Sequence, residues 1–220
     1  MTEGILLILK GLHVTVILSL LSAMLALLAA FAAGLGRLSR FSPVRVVSTT
    51  YIEFFRGTSL FVQLFWAFYV LPLLGVSLGP MEAAVLALGL NLGAYGAEVV
   101  RGCVQAIGAE QTEACIALNL TRYQRLRHVI IPQALVMMLP PFGNLAVTLL
   151  KMTAIASLIS LPDLTYQAQL VRSETGQTLF PFAVIMVIYF ALSTLIKKGV
   201  GRLERRLAIG ADRIETSGAR

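Results

Sequence analysis

The apolar run at positions 12–35 contains no Asp, Glu, Lys or Arg. A helix needs roughly 20 mostly apolar residues to cross the hydrocarbon core of a bilayer, and this run exceeds that length. The whole chain is 57% hydrophobic and 13% charged, with a mean hydropathy of +0.82. A chain of 220 residues cannot bury so much apolar surface in one water-soluble core, so we expect lipid to solvate much of it.

Four further apolar stretches predict an all-α membrane protein with about five transmembrane helices. These stretches are 59–74, extended upstream by the more polar 46–56, then 81–100, 134–159 and 180–196. In the third span Gly89, Gly93 and Gly96 recur at four- and three-residue steps, which predicts a smooth face for close helix packing. In the fourth span we expect Pro140 and Pro141 to break the helical hydrogen bonding.

Basic residues collect in three regions that fall on one side of a five-span chain. These regions are 37–56, 101–127 and 197–220. Because positively charged loops stay in the cytoplasm, the pattern predicts an external N-terminus and a cytoplasmic C-terminus. We expect residues 1–11 in the periplasm, one transmembrane domain over 12–207 and a cytoplasmic tail over 208–220. The net charge of +7 is attributed to topology rather than to nucleic-acid binding, because no aromatic-rich basic patch accompanies it.

Catalytic and metal-binding functions lack their usual sequence signals. No GxxxxGK[ST] phosphate loop occurs, so the chain shows no means of binding ATP itself. Cys103 and Cys115 form no CxxC and have no histidine at a metal-ligand spacing, so no metal site is predicted. His13 and His128 fall on predicted opposite sides of the bilayer, which argues against a Ser–His pair. We therefore predict that the chain is not an enzyme and has no catalytic residues.

The longest polar interruption, residues 101–132, contains a spaced motif within a segment of helical periodicity. Glu113-Ala114-Cys115 is followed by Asn119 six residues after the glutamate and by Pro132 nineteen residues after it. An amphipathic helix on the membrane surface would explain the periodicity but not this spacing. The spacing resembles the EAA loop of ABC importer permeases, E-A-A-x3-G-x9-I-x-L-P. Pro132 fits the first turn of the fourth span, where its missing N–H is harmless.

The resemblance implies that the loop is a coupling helix that docks on a separate ATPase. Glu113 would supply a charge to the ATPase or to basic residues of the loop. Small side chains at Ala114, Cys115 and Ala117 would let the helix approach its partner closely. Asn119 stands where the family has glycine, and asparagine tolerates a left-handed conformation best after glycine.

Two further segments resemble the polar-amino-acid (histidine, glutamine, arginine) branch of these permeases. Residues 51–60, YIEFFRGTSL, are similar to Y-x-E-x-F-R-G-T-P-L, and residues 91–102, NLGAYGAEVVRG, to N-x-G-A-Y-x-x-E-x-x-R-G. The polar, charged and small residues of this interfacial motif are Glu53, Arg56, Gly57, Thr58, Glu98 and Arg101. Glu53 and Arg56 are three residues apart, so we expect them to pair on one helical turn.

The candidate substrate path lies in the third and fourth spans. Its residues are Asn91, Tyr95, Asn144, Lys151 and Thr153. Asn91 and Tyr95 could equally hold helices together. The branch reads L-L-K-D-T-S-L where this chain has LLKMTAI at 149–155, so the acid after Lys151 is missing. Lys151 alone could attract a carboxylate, which predicts a neutral or zwitterionic solute; the alternative is a lysine that snorkels without touching the solute.

A short segment after the fourth span resembles the outer gate of the same branch. It reads LPDL at positions 161–164. We expect Asp163 to cap a short helix there, on the face where the family docks its solute-binding protein.

The resembling segments cover nearly the whole chain after about residue 45, and together they imply a type I ABC importer permease in a bacterial inner membrane. Its implied partners are a second permease, identical or paralogous, two cytoplasmic ATPases that carry ATP and magnesium, and a periplasmic solute-binding protein. Alternating access would carry a polar amino acid or related zwitterion. Two alternatives stay open. One is import of a compatible solute such as ectoine by the same mechanism; the other is a self-sufficient secondary transporter, although the chain lacks paired broken helices in two halves.

Overall fold

The computed structural model describes residues 2–217, which form helices and no strands within that range. The helices are α1 Thr2–Arg37, α2 Ser42–Gly57, α3 Leu60–Phe65, α4 Pro80–Ala106, α5 Ala109–Ala117, α6 Arg122–Arg125, α7 Ile131–Met152, α8 Leu164–Thr175 and α9 Leu179–Ser217. Two π-helical turns, Trp66–Val70 and Leu126–Ile130, and two 3-10 segments, Leu71–Leu74 and Thr153–Ile159, continue some of them. The predicted all-α architecture is confirmed.

Among the described residues, four helical runs are long and apolar enough to cross a membrane. They are Gly4–Arg37, Pro80–Ala106, Tyr123–Ile159 and Leu179–Arg206. A fifth crossing is counted if α2 and the run Leu60–Leu74 are taken as one span, although these two are bent by 104°. The prediction of about five transmembrane helices therefore holds, but the second is a bent pair rather than one continuous helix.

Helix α4 lies at the centre of the bundle, packed closely on α1 along its glycine face. A Cβ atom added at Gly89, Gly93 or Gly96 would come within 2.7 Å of a side chain of α1. Real Cβ atoms do not approach neighbours so closely, so these positions need glycine for the two backbones to meet. The predicted smooth face of the third span is confirmed.

The first span starts earlier than the predicted residue 12, at Gly4. Helix α1 begins at Thr2 and runs without interruption into the first span; Met1 lies outside the described residues. The reason is tertiary packing, since Ile8 is fully buried in a cluster with Leu164, Ala168 and Val171 of α8. Hydrophobicity predicts only the segment of a helix that lies in lipid. The packing of Ile8 on α8 stabilises α1 beyond that segment.

The fourth span also differs from its prediction. Helix α7 continues through Pro140 and Pro141, and the change to 3-10 geometry comes only at Thr153, ending at Ser160 with φ of 60°. Each proline removes one backbone donor, but both neighbouring turns stay packed, with Met138 and Gly143 buried. The predicted break at the two prolines is therefore wrong.

The predicted polar loop 101–132 is helical at both of its ends. Helix α4 extends to Ala106, and the run that contains the fourth span starts at Tyr123, before the predicted 134. Pro132 is the second residue of α7, as predicted for a first-turn proline. The π-helical turn Leu126–Ile130 directly before it keeps the run continuous. Only α5 and its flanking turns remain as a separate element between the two spans.

Candidate functional site

Helix α5 presents a surface with little contact to the rest of the chain. Glu113, Ala114 and Ala117 are exposed. Two apolar side chains beside them are also exposed, Ile116 by 58% and Leu118 by 73%. Large apolar side chains exposed next to a carboxylate on one short helix are typical of a protein–protein contact. Cys115 is only 3% exposed and faces its own chain, which does not fit its expected place on the partner-facing surface.

The end of α5 has the geometry that the motif predicts for Asn119. Asn119 adopts φ of 52°, in the left-handed region. Its N–H donates to the Ile116 carbonyl at 2.9 Å, and the Leu120 N–H donates to the Cys115 carbonyl at 3.0 Å. This pair of bonds is a Schellman motif, so Asn119 terminates the helix in the way that glycine usually does.

A capping box that the sequence analysis did not identify fixes the turn after α5. The Thr121 N–H donates to Gln124 Oε1 at 2.9 Å, and the Gln124 N–H donates to Thr121 Oγ1 at 3.3 Å. The signal was present as Thr-x-x-Gln directly before the next helix. Together with Asn119, this box sets the direction in which α5 projects from the bundle.

Glu98 is the centre of an ion-pair cluster at the same end of the bundle. Its carboxylate pairs with Arg37 from the end of α1, with Arg101 Nη2 at 2.8 Å and, more distantly, with Arg56 Nη1 at 3.8 Å. Glu53 is exposed and forms no ion pair with any described residue, so the expected pair of Glu53 with Arg56 is wrong. A partner from another helix replaces the local one, because α4 brings Glu98 to the end of α2.

The bend between α2 and α3 is held by amide side chains. Asn91 Nδ2 donates to the Phe55 carbonyl at 2.9 Å and to Gln63 Oε1 at 3.1 Å. Gln63 Nε2 in turn donates to the Phe55 carbonyl at 3.0 Å and to Thr58 Oγ1 at 2.6 Å. Asn91 is 3% exposed and fastens α4 to the bend. Gln63 was missed, although a glutamine within the apolar segment LFVQLF is itself a signal.

Apart from Asn91, the candidate substrate residues take no part in the hydrogen bonds of this bend. Gly57 ends α2 with open space around it. Tyr95 is 39% exposed beneath the Arg56 guanidinium, whose carbon lies 5.3 Å from the ring centroid. Asn144 is exposed on α7, whereas Thr153 is fully buried and its hydroxyl donates to the Leu150 carbonyl at 2.7 Å.

Lys151 is exposed and lies in a groove between α7 and α9 with a volume of about 340 Å³. The groove is also lined by Met186, Tyr189, Phe190, Ser193, Thr194 and Lys197. It contains two amines, two hydroxyl side chains and a phenol, and its lining includes no carboxylate. The α9 residues of this groove were not identified from the sequence, because polar residues in the apolar span 180–196 do not recur at a helical spacing.

Asp163 caps α8, as predicted. Its Oδ1 accepts from the Tyr166 N–H at 2.8 Å, and the neighbouring Leu164 N–H donates to Thr15 Oγ1 of α1 at 3.1 Å. The residue is fully buried, and Oδ2 has no partner among the described residues. Loss of solvation raises the pKa of this carboxyl to about 6, against the opposing effect of the backbone donors.

Comparison with known proteins decides the family. The family model of the binding-protein-dependent transport system inner membrane component matches residues 15–209. The chain belongs to this family. As a member it is the membrane-spanning permease of an ATP-driven uptake system, not an enzyme, and it works with an ATPase and a solute-binding protein.

Relatives of this permease are amino-acid transport proteins. It is 44% identical to the "probable amino-acid ABC transporter permease protein y4tF" of Sinorhizobium fredii, over 85% of this chain and 81% of that protein. It is 34% identical to the L-cystine transport system permease protein TcyB of Bacillus subtilis, over 90% and 85%. It is 35% identical to the glutamine transport system permease protein GlnP of Escherichia coli, over 74% and 75%.

Solved structures show the same fold. An amino acid ABC transporter crystallised with histidines superposes on the permease with a TM-score of 0.88 at 36% identity, covering 94% of this chain and 96% of that one. The inward-facing MetNI methionine ABC transporter superposes with a TM-score of 0.77 at 20% identity, which shows the fold alone. The type I importer fold is therefore confirmed.

Proposed function

We propose that this permease imports a neutral or zwitterionic polar amino acid, or a related zwitterion, across a bacterial inner membrane. It would act as one of two permease subunits, identical or paralogous, above two ATPases that bind ATP and magnesium. The EAA-loop end would face the cytoplasm, and the end that carries α8 would receive solute from a periplasmic binding protein. Transport would proceed by alternating access of the helix bundle.

The observation that carries the coupling role is the surface of α5. Glu113 lies beside the exposed side chains of Ile116 and Leu118, and the left-handed turn at Asn119 ends the helix abruptly. An exposed apolar pair with an adjacent charge suits a cleft on a partner protein. Because α5 lies between the two central spans α4 and α7, displacement of α5 would move both.

The groove at Lys151 supports the solute class. Lys151 and Lys197 line one groove with hydroxyl side chains, and no carboxylate lines it. A solute carboxylate would therefore be attracted, whereas a second positive charge about 6 Å from an amine costs about 1.4 kcal/mol at an effective dielectric constant of about 40. That cost corresponds to about a tenfold preference. The glutamine and L-cystine systems among the relatives carry solutes of the same zwitterionic class.

Two variants of α5 test the coupling role. Glu113→Gln removes the charge next to the apolar pair, and Glu110→Gln removes an exposed charge one turn earlier on the same helix. We expect the Glu113 variant to lose co-purifying ATPase and solute uptake, and the Glu110 variant to keep both. Equal behaviour of the two variants would count against α5 as the docking element.

Competition for uptake in a reconstituted complex tests the solute class. Unlabelled glutamine should compete at least tenfold better than arginine, and Lys151→Gln should narrow that ratio while Lys198→Gln leaves it unchanged. A clear preference for arginine would overturn the proposal. A thermal-shift screen of the cognate binding protein against amino acids and ectoine would then name the solute.

A further inference from the structure

The arginine cluster around Glu98 carries more positive charge than its one carboxylate neutralises. Three guanidinium groups and one carboxylate leave a local net charge of +2. Arg101 donates to Glu98 Oε2 through Nε at 3.0 Å and through Nη2 at 2.8 Å, and to Gln105 Oε1 through Nη1 at 2.6 Å. Arg37 occupies Glu98 Oε1. Arg56 is left at 3.8 Å from Oε1, outside hydrogen-bonding distance. Arg56 thus has donors free for a further anion.

Arg56 is the arginine best placed to hold that anion. Its side chain is 43% exposed, and its guanidinium lies over the half-exposed ring of Tyr95. Stacking on an aromatic face fixes the plane of a guanidinium while leaving its edge donors available. A guanidinium held in this way can donate two parallel N–H bonds to two oxygens of one phosphate.

Sequence neighbours of Arg56, namely Phe54, Phe55 and Thr58, line an apolar groove. It lies between α2, α3 and α4, has a volume of about 450 Å³ and is lined mainly by Phe54, Val62, Trp66, Leu71, Leu86 and Leu90. Leu90 and Tyr95 are five residues apart on α4, which is a rise of about 7.5 Å. The charged cluster and the apolar groove are therefore close enough along α4 for one amphiphilic molecule to contact both.

Helix α2 lies where such a molecule would meet the protein. One of its faces exposes Val44, Val47 and Phe54, while its other face carries the charged and hydroxyl side chains. An amphipathic helix of this kind lies in the plane of a bilayer surface. We propose that Arg56 holds the phosphate of an anionic phospholipid of phosphatidylglycerol type, with one acyl chain in the groove between α2, α3 and α4.

Charge favours this occupant over a second protein surface. A phospholipid carries an anionic headgroup and an apolar chain in the same molecule. The headgroup would contact the arginine cluster while the chain occupies the groove. The cluster also lies at the basic end of the bundle, and each basic residue near an anionic membrane surface changes binding by about fivefold. A protein partner would need an acidic residue at the end of an inserted apolar side chain.

Native mass spectrometry of the complete complex, released from nanodiscs, tests the proposal. The wild type should retain phosphatidylglycerol in preference to phosphatidylcholine. Arg56→Gln should reduce phosphatidylglycerol retention about fivefold or more. Arg56→Lys should reduce it less, because lysine keeps the positive charge but cannot form the paired hydrogen bonds of a guanidinium. The matched control Arg45→Gln, on the exposed start of α2, should retain phosphatidylglycerol as the wild type does.

A second variant probes the groove without touching the charge cluster. Val62→Trp should fill the groove and lower phosphatidylglycerol retention at unchanged ATPase co-purification. Equal retention of the two lipids, or equal retention by Arg56→Gln and Arg45→Gln, would overturn the proposal. So would efficient cross-linking of Val62→Cys between two permease copies, because the groove would then be covered by a second copy of the chain.

Discussion

Replacement of Asn119 by valine is expected to loosen the end of α5 without unfolding the bundle. Asn119 has φ of 52°, a conformation that costs a β-branched residue about 1–2 kcal/mol more than glycine. The strain acts on two hydrogen bonds, from the Asn119 and Leu120 amides. A change of this size should raise local opening by about 5- to 30-fold.

Hydrogen–deuterium exchange measures this opening directly. In Asn119→Val the amides of residues 119 and 120 should exchange about 5- to 30-fold faster than in the wild type, while amides in α4 and α7 keep their rates. Asn119→Gly is the matched control, because glycine adopts the left-handed conformation freely, and its exchange should equal or fall below that of the wild type.

Asn119→Val and Asn119→Gly should also differ in how tightly transport is coupled to ATP hydrolysis. Solute moved per ATP hydrolysed should fall in Asn119→Val and stay at the wild-type value in Asn119→Gly, if the end of α5 sets its direction. Unchanged exchange and unchanged coupling in Asn119→Val would refute the reasoning from the left-handed turn.

Two further predictions concern the end of the bundle that carries α8. Because the pKa of Asp163 is raised from 3.8 to about 6, the folded state binds its proton more tightly than the unfolded state, so the free energy of unfolding should fall by about 2 kcal/mol as pH rises from 4 to 6.5. Asp163→Asn should abolish this slope in thermal unfolding scans; an identical slope in both proteins would contradict the assignment. Gly11→Ala should lower the unfolding temperature, because its Cβ would lie 2.5 Å from the Asp163 carbonyl oxygen, whereas Gly199→Ala, with open space around it, should not. Equal effects at the two glycines would contradict the close approach of α1 to that carbonyl.

Features set by local chemistry could be predicted from the sequence. The apolar runs gave the number of spans, the glycine steps gave the packing face of α4, and the spacing from Glu113 to Asn119 gave the position and the left-handed end of α5. Each of these depends on residues within one helix or one turn. The N-cap at Asp163 belongs to the same class.

Features set by contacts between helices could not be predicted. Arg56 pairs with Glu98 rather than with Glu53, because α4 passes the end of α2. The prolines of α7 do not end the helix, because packing around them outweighs two lost hydrogen bonds. The groove at Lys151 takes most of its lining from α9, whose sequence shows no polar period. A single sequence without its tertiary neighbours holds no signal for such pairings.

Accumulation of solute by proteoliposomes with and without the ATPase tests the central claim most directly. The permease and its binding protein should accumulate no solute when the ATPase is left out, and accumulation should appear when the ATPase and ATP are supplied together. Undiminished accumulation in the absence of the ATPase would contradict the account.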